Sequence, residues 1–280
     1  MTQSANPLRQ YFRQPAIYLR LPSGGAHWPD GSIDIPPNGE LPILPMTAID
    51  EITYRTPDAL FNGQAVVDVI HSCVPNIKNA WATPSPDINA LLTAIRIASY
   101  GHNLEINSSC PACTAQAEYG IDLRTVLDQL KSPDFTVPII SGDLEIRFHP
   151  VDYKTQNVAN QAQFDQQKMM QILPGTDLDD SQKLLKLQEV LMRITELTVE
   201  AVKWSISSIR TPTAFVTEPE FFKEFLTNCD RELFSKIRDH VIGLRTATDL
   251  KPMSVKCTEC EHEYQQTLTL DMSSFFAPAS

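Results

Sequence analysis

Two stretches decide the fold of this chain: Ser108-Ser-Cys110-Pro-Ala-Cys113-Thr-Ala-Gln-Ala-Glu-Tyr119 and, far downstream, Val255-Lys-Cys257-Thr-Glu-Cys260-Glu-His-Glu-Tyr264. A CxxC pair sets two thiolates on one tight turn, which supplies half of a tetrahedral zinc site with Zn–S bonds of about 2.3 Å. Two such pairs complete a closed site. Residues 114–256 lie between them, so the spacing requires two distant hairpins to meet with most of the chain looped out. The flanks repeat as well. His102–Ser109 and Thr114–Leu123 surround the first pair, Met253–Lys256 and Glu261–Leu270 the second. Both read as strand, knuckle, strand with alternating apolar positions on the outgoing arm. The exits repeat too, Asp122-Leu-Arg-Thr-Val-Leu127 beside Asp271-Met-Ser-Ser-Phe-Phe276.

Two other readings of the cysteines compete, reduced thiols without metal and a thioredoxin-type redox pair. The redox chemistry places its CxxC at a helix N-terminus after an apolar strand. Here Asn107-Ser-Ser109 precedes the first pair, and strand-like sequence follows both. A structural Zn2+ held by Cys110, Cys113, Cys257 and Cys260 is the expectation. His262 is expected to be an exposed turn residue, because four thiolates already complete the shell.

Outward from the clasp, the first half reads as short strands at Ala16–Leu21, Ser32–Ile35 and Glu40–Leu44, then helices after Thr47, over Gln64–Val74 and over 85–100. In the last of these, Ile88, Leu91, Leu92, Ile95 and Ala98 recur at helical spacing and predict one buried face. Arg96 falls off that stripe and is expected at the surface. After the linker Lys131-Ser-Pro-Asp134 comes a strand at Leu144–Phe148, then a polar helix over 152–171. Eight of residues 156–171 are Asn or Gln. A long helix is expected from Ser181 to about Ile209, striped by Leu184, Leu187, Leu191, Ile194, Leu197, Ala201 and Trp204. The stripe has two readings, packing against the polar helix or a seam with another subunit. Helices at about 218–227 and 230–245 follow. The fold class is therefore α+β: a mixed base with two zinc-ribbon-like hairpins sharing a four-cysteine site, plus a long helical insertion. Its expected divisions are an N-terminal arm at 1–45, a base at 46–130, the insertion at 131–250 and a completing hairpin at 251–280.

Composition excludes several function classes. The net charge is -11 over 280 residues, with 34 acidic and 23 basic side chains, and it is spread over both halves. No basic half exists to hold a phosphate backbone. The 10 glycines, against 21 prolines, admit neither GxGxxG nor GxxxxGK[ST], so the common phosphate-cradling loops are absent. Neither HExxH nor GxSxG occurs, and no catalytic or cofactor-binding residue is assigned. No apolar run reaches the length of a membrane span. The start lacks the apolar core of a secretory signal, so synthesis in the cytoplasm with reduced thiols is expected, and no membrane partner.

The order of motifs resembles the baseplate hub subunit and hub-assembly family of contractile-tailed, T-even-like phages. It is carried by Leu21-Pro-Ser-Gly-Gly25, Ala90-Leu-Leu-Thr-Ala-Ile-Arg-Ile-Ala-Ser-Tyr-Gly101, Cys110-Pro-Ala-Cys113 with Tyr119-Gly-Ile-Asp-Leu123, and the C-terminal hairpin ending in Phe275-Phe276. The match is best over 15–130 and 250–280. The resemblance implies a non-enzymatic structural protein of the virion tail baseplate, with other hub subunits and tape-measure or tail-tube proteins as partners. The alternative is a zinc-ribbon regulatory protein contacting nucleic acid or transcription machinery. Glu259, Glu261 and Glu263 around the second knuckle weigh against it.

Overall fold

The computed structural model describes residues 6–54, 63–172 and 179–267, the side chain of residue 180 excepted. The chain divides into two compact units, one from Met1–Ala80, Asp87–Lys131 and Leu250–Ser280, the other from Trp81–Pro86 and Ser132–Asp249. Each is taken below over its described residues. Among these the architecture is α+β, with eight α-helices and small antiparallel sheets.

In the first unit, β1 (Ile17–Leu19) pairs antiparallel with β2 (Leu41–Ile43). Leu19, Leu41 and Ile43 point into the core. Helix α1 (Ala48–Tyr54) starts in a reciprocal cap. The Thr47 amide donates to Asp50 Oδ2 at 2.7 Å, and the Asp50 amide donates to Thr47 Oγ1 at 3.2 Å. Each end thereby satisfies a donor that the first turn leaves open. Arg13 straps the N-terminal segment down, donating to Pro45 O, Asp50 Oδ2 and Ser72 O at 2.5, 3.2 and 2.7 Å. Helix α2 (Gln64–Cys73) follows Gly63, whose φ of 77° suits glycine, and buries Val66, Val67, Val69 and Ile70 as expected.

Helix α3 (Ser85–Tyr100) has the expected bounds but a different environment. Instead of one buried face, it is enclosed around most of its circumference, because Ala90, Thr93 and Ala94 opposite the Leu/Ile stripe let neighbours approach closely. Arg96 is therefore not at the surface: it is 1 % exposed. Its Nη1 donates to Gly101 O at 3.4 Å, and its guanidinium lies 4.7 Å over the Tyr100 ring. Asp87, also fully buried, accepts from the Ser23 amide (2.9 Å), Ser23 Oγ (2.5 Å) and Trp28 Nε1 (2.8 Å). That carboxylate fastens the Leu21–Gly25 turn to α3.

Strands β3 (Asn103–Ser109) and β4 (Gln116–Asp122) form the first hairpin, and α4 (Leu123–Gln129) leaves it with Asp122 as its cap.

The second unit is built on the four-stranded antiparallel sheet β5 (Ile139–Ser141), β6 (Leu144–Phe148), β7 (Ile206–Arg210) and β8 (Phe215–Val216), in that order. Helix α5 (Tyr153–Ile172) buries no residue, as its amide-rich sequence requires. Helix α6 (Asp180–Lys203) opens with a capping box between Asp179 and Gln182. It ends at Lys203 rather than near Ile209. Pairing with β6 makes 206–210 a strand, with Ile146 opposite Ile209, and a register shift between Arg147 and Phe148 lets both Ile206 and Ile209 reach the core. Helices α7 (Pro219–Asn228) and α8 (Arg231–Thr246) complete the unit. Its core joins Ile139, Ile146 and Phe148 of the sheet to Val202, Phe222, Leu226, Ile237 and Val241. The segment Trp81–Pro86 belongs here because Trp81 stacks on Tyr153 at 5.6 Å and the Ser85 amide donates to Val151 O at 2.9 Å. The expected helical stretch thus carries a sheet of its own. Among the described residues no helix is long and apolar enough to cross a membrane.

Candidate metal centre

Strands β9 (Met253–Lys256) and β10 (Glu263–Gln266) form the second hairpin. Its six-residue loop, 257–262, equals in length the loop 110–115 between β3 and β4. The two loops are the same knuckle. The amides of Cys110 and Cys257 each donate to the carbonyl five residues on, Ala115 and His262, both at 2.9 Å. The Cys110 and Cys257 carbonyls accept from Thr114 and Glu261 at 2.9 and 3.1 Å. Closing so tight a turn drives Thr114 (φ 60°) and Glu261 (φ 57°) into the left-handed region that favours glycine.

All four predicted thiols come together. Cys110 Sγ lies 3.7 Å from Cys260 Sγ, and Cys113 Sγ lies 3.7 Å from Cys257 Sγ. The whole set falls within 4.8 Å, and among the described residues it is the group fitted to hold a metal ion. Four sulfurs at about 2.3 Å from one tetrahedral ion stand roughly 3.8 Å apart, so the donor set fits zinc in both chemistry and spacing. Cys110 and Cys257 are buried, while Cys113 and Cys260 sit at the surface.

Backbone amides reinforce the sulfurs. Those of Cys260 and Glu259 point at Cys257 and, together with its neighbouring thiols, bring it down to about 7. The His262 amide donates to the sulfur of Cys260. Hydrogen bonding with Cys113, burial and the other thiols nevertheless outweigh it and push Cys260 up to about 12. Cys113 likewise accepts from the Ala115 amide and is raised by the crowd around it. Four thiols this close resist losing all their protons to solvent, and a divalent cation supplies the charge that displaces them.

His262 stays out of the cluster. Its exposed ring stacks on Tyr264 with centroids 6.3 Å apart. Sequence reasoning assigns no role to the residues that fasten one hairpin to the other. Ser108 Oγ lies 2.9 Å from Tyr264 OH and 2.5 Å from Gln266 Oε1, and Tyr119 OH donates to Lys256 O at 3.2 Å. The Tyr119 and Tyr264 rings meet edge to face at 6.5 Å. The signal that could have found them is a tyrosine on the outgoing arm of each hairpin.

Fold and centre together define a chain whose two far-separated hairpins meet at a four-thiol cluster. Residues 45–277, over four-fifths of the chain, match the family described as T4 bacteriophage base plate protein, and the chain belongs to that family. It is thus a structural component of a T4-like phage tail baseplate, one part of a multi-subunit assembly. Neither the curated proteins nor the solved structures contain a match.

Proposed function

We propose that this chain is a non-enzymatic subunit of the baseplate hub or of its assembly, acting as a zinc-stabilised scaffold. The observation that carries the reading is the convergence of two equivalent knuckles on four sulfurs that lie within 4.8 Å, two pairs across the hairpins being 3.7 Å apart. A set of four cysteines leaves no open coordination position, so the ion's role is structural rather than catalytic. Zn2+ bound by Cys110, Cys113, Cys257 and Cys260 ties the C-terminal hairpin to the base. The remaining surface, acidic overall at -11, is left for neighbouring subunits such as hub, tape-measure or tail-tube proteins. The test is twofold. Metal analysis of purified protein is expected to find one zinc per chain, and mass spectrometry of isolated baseplates is expected to find the chain beside the central hub subunits. Folded protein without metal refutes the clasp; absence from baseplates and from their assembly intermediates refutes the hub assignment.

A further inference from the structure

Helix α6 is amphipathic in an unexpected sense. Its charged side holds Lys186 paired to Glu189 (3.7 Å) and Arg193 paired to Glu196 (2.8 Å). Arg193, Leu197, Ala201 and Trp204, from that side, meet α5 along a groove of about 560 Å³. The opposite side is uncharged from 184 to 198. Spaced at 3.6 residues per turn, Leu184, Gln188, Leu191 and Thr195 run down its centre, with Leu185 beside them, while Met192 marks the edge, where it also lines a groove with Gln166 and Met169 of α5. Leu184, Leu185, Leu191 and Met192 are 58, 66, 49 and 63 % exposed. The same side continues toward the C-terminus into Val199 and Val202, which pack in the unit's core. A core stripe thus runs out beyond its sheet and, among the described residues, stays bare for about four turns.

We propose that this outer face of α6, residues 184–198, docks against the same face of a second copy of the chain. Three observations select that occupant. The face has no charge with which to choose a basic or acidic partner. Helix α6 as a whole balances four basic against four acidic residues, whereas the chain carries -11, so copies that repel elsewhere meet here without like charges. The area also suffices: a strip about 20 Å long, paired with itself, buries on the order of 1,000 Å² in total, the low end for a specific interface. Gln188 and Thr195 supply hydrogen-bonding groups to a two-fold contact, in which one patch serves both partners. The strip lies in a different unit from the thiol cluster, so this inference stands apart from the zinc reading.

The test is sedimentation velocity of the full-length, zinc-replete chain from about 1 to 100 µM, bracketing the weak affinity such an area gives. A concentration-dependent dimer is expected. Leu185→Glu is expected to weaken it at least ten-fold while leaving the circular dichroism and melting curve unchanged, since the side chain is exposed. Leu191→Glu and Leu191→Lys are each expected to be monomeric alone and to pair when mixed. A monomer throughout the range overturns the proposal, as does a dimer indifferent to Leu185→Glu or a mixture that stays monomeric.

Discussion

Replacing Cys113 with Ser removes one ligand without opening a cavity, because Cys113 is at the surface. Any large effect therefore reports on the metal rather than on packing. Without metal, the two hairpins are held mainly by the hydrogen bonds of Ser108 to Tyr264 and Gln266 and of Tyr119 to Lys256. At about 1 kcal/mol each, these total about 3 kcal/mol. Against them stands the entropy of closing the chain. Cys113 and Cys257 are 144 positions apart, and tying such a loop costs about 5 kcal/mol with the intervening chain unfolded. With the second unit already folded, only about 25 connecting residues are loose and the cost is still about 3.5 kcal/mol. Either figure exceeds the hydrogen bonds, and the edge-to-face contact of the Tyr119 and Tyr264 rings, about 1 kcal/mol, only brings the balance close to zero. The variant is therefore expected to purify without zinc, with its C-terminal hairpin undocked much of the time. Hydrogen exchange at 253–256 and 263–266 reads this directly, and the first unit should melt roughly 10 °C lower. Cys229→Ser, in the other unit, is the control and should change neither. A zinc-free Cys113→Ser protein whose C-terminal strands stay protected would refute the reasoning.

Three further outcomes follow from individual residues. Thr114→Gly and Glu261→Gly relieve left-handed backbone in the knuckles and are expected to raise the stability read from urea unfolding by about 0.5–1 kcal/mol each after glycine's own entropy cost; a loss of stability in both would show that the backbone there is unstrained. Asp87→Ala strands the donors of Ser23 and Trp28 and should cost about 2–3 kcal/mol, with faster proteolysis near the Leu21–Gly25 turn. His240 packs against Phe148 with ring centroids 4.7 Å apart, its Nε2 is buried without a hydrogen-bond partner among the described residues, and burial lowers its pKa below 6.5. The unfolded chain then takes up a proton that the folded chain does not. Stability of the second unit should therefore be full above about pH 6.5 and fall as the pH drops below it, measured by urea unfolding at about pH 7.5 and about pH 5.5. His240→Leu should flatten that dependence.

Local chemistry makes much of this molecule legible. Proline and capping residues mark the ends of α3, and its apolar period marks the Leu/Ile face. The CxxC pairs with their repeated flanks announce two equal knuckles. Where reading fails, the deciding partner is distant in sequence. Arg96 looks like a surface residue because helical periodicity records one face, and nothing local says that a second layer covers the other. The long helix reads on to Ile209 because the serines at Ser205, Ser207 and Ser208 suit a helix end as well as a strand. The pairing of Ile206–Arg210 with β6, about 60 positions earlier, decides that it is a strand. The exit repeat at Asp271–Phe276 lies outside the described residues.

By itself, then, the sequence determined the donor types, their pairing into knuckles, and the need for a long intervening loop, since these depend on neighbours within a few residues. Only the tertiary structure decided that the four sulfurs meet within 4.8 Å, that a buried carboxylate and guanidinium sit in the base, and that α6 turns Arg193 and Leu197 toward α5 while Leu184, Leu185 and Leu191 face outward. Those outcomes depend on which surfaces are covered. Coverage is a property of chain segments far apart in sequence, and no local pattern encodes it.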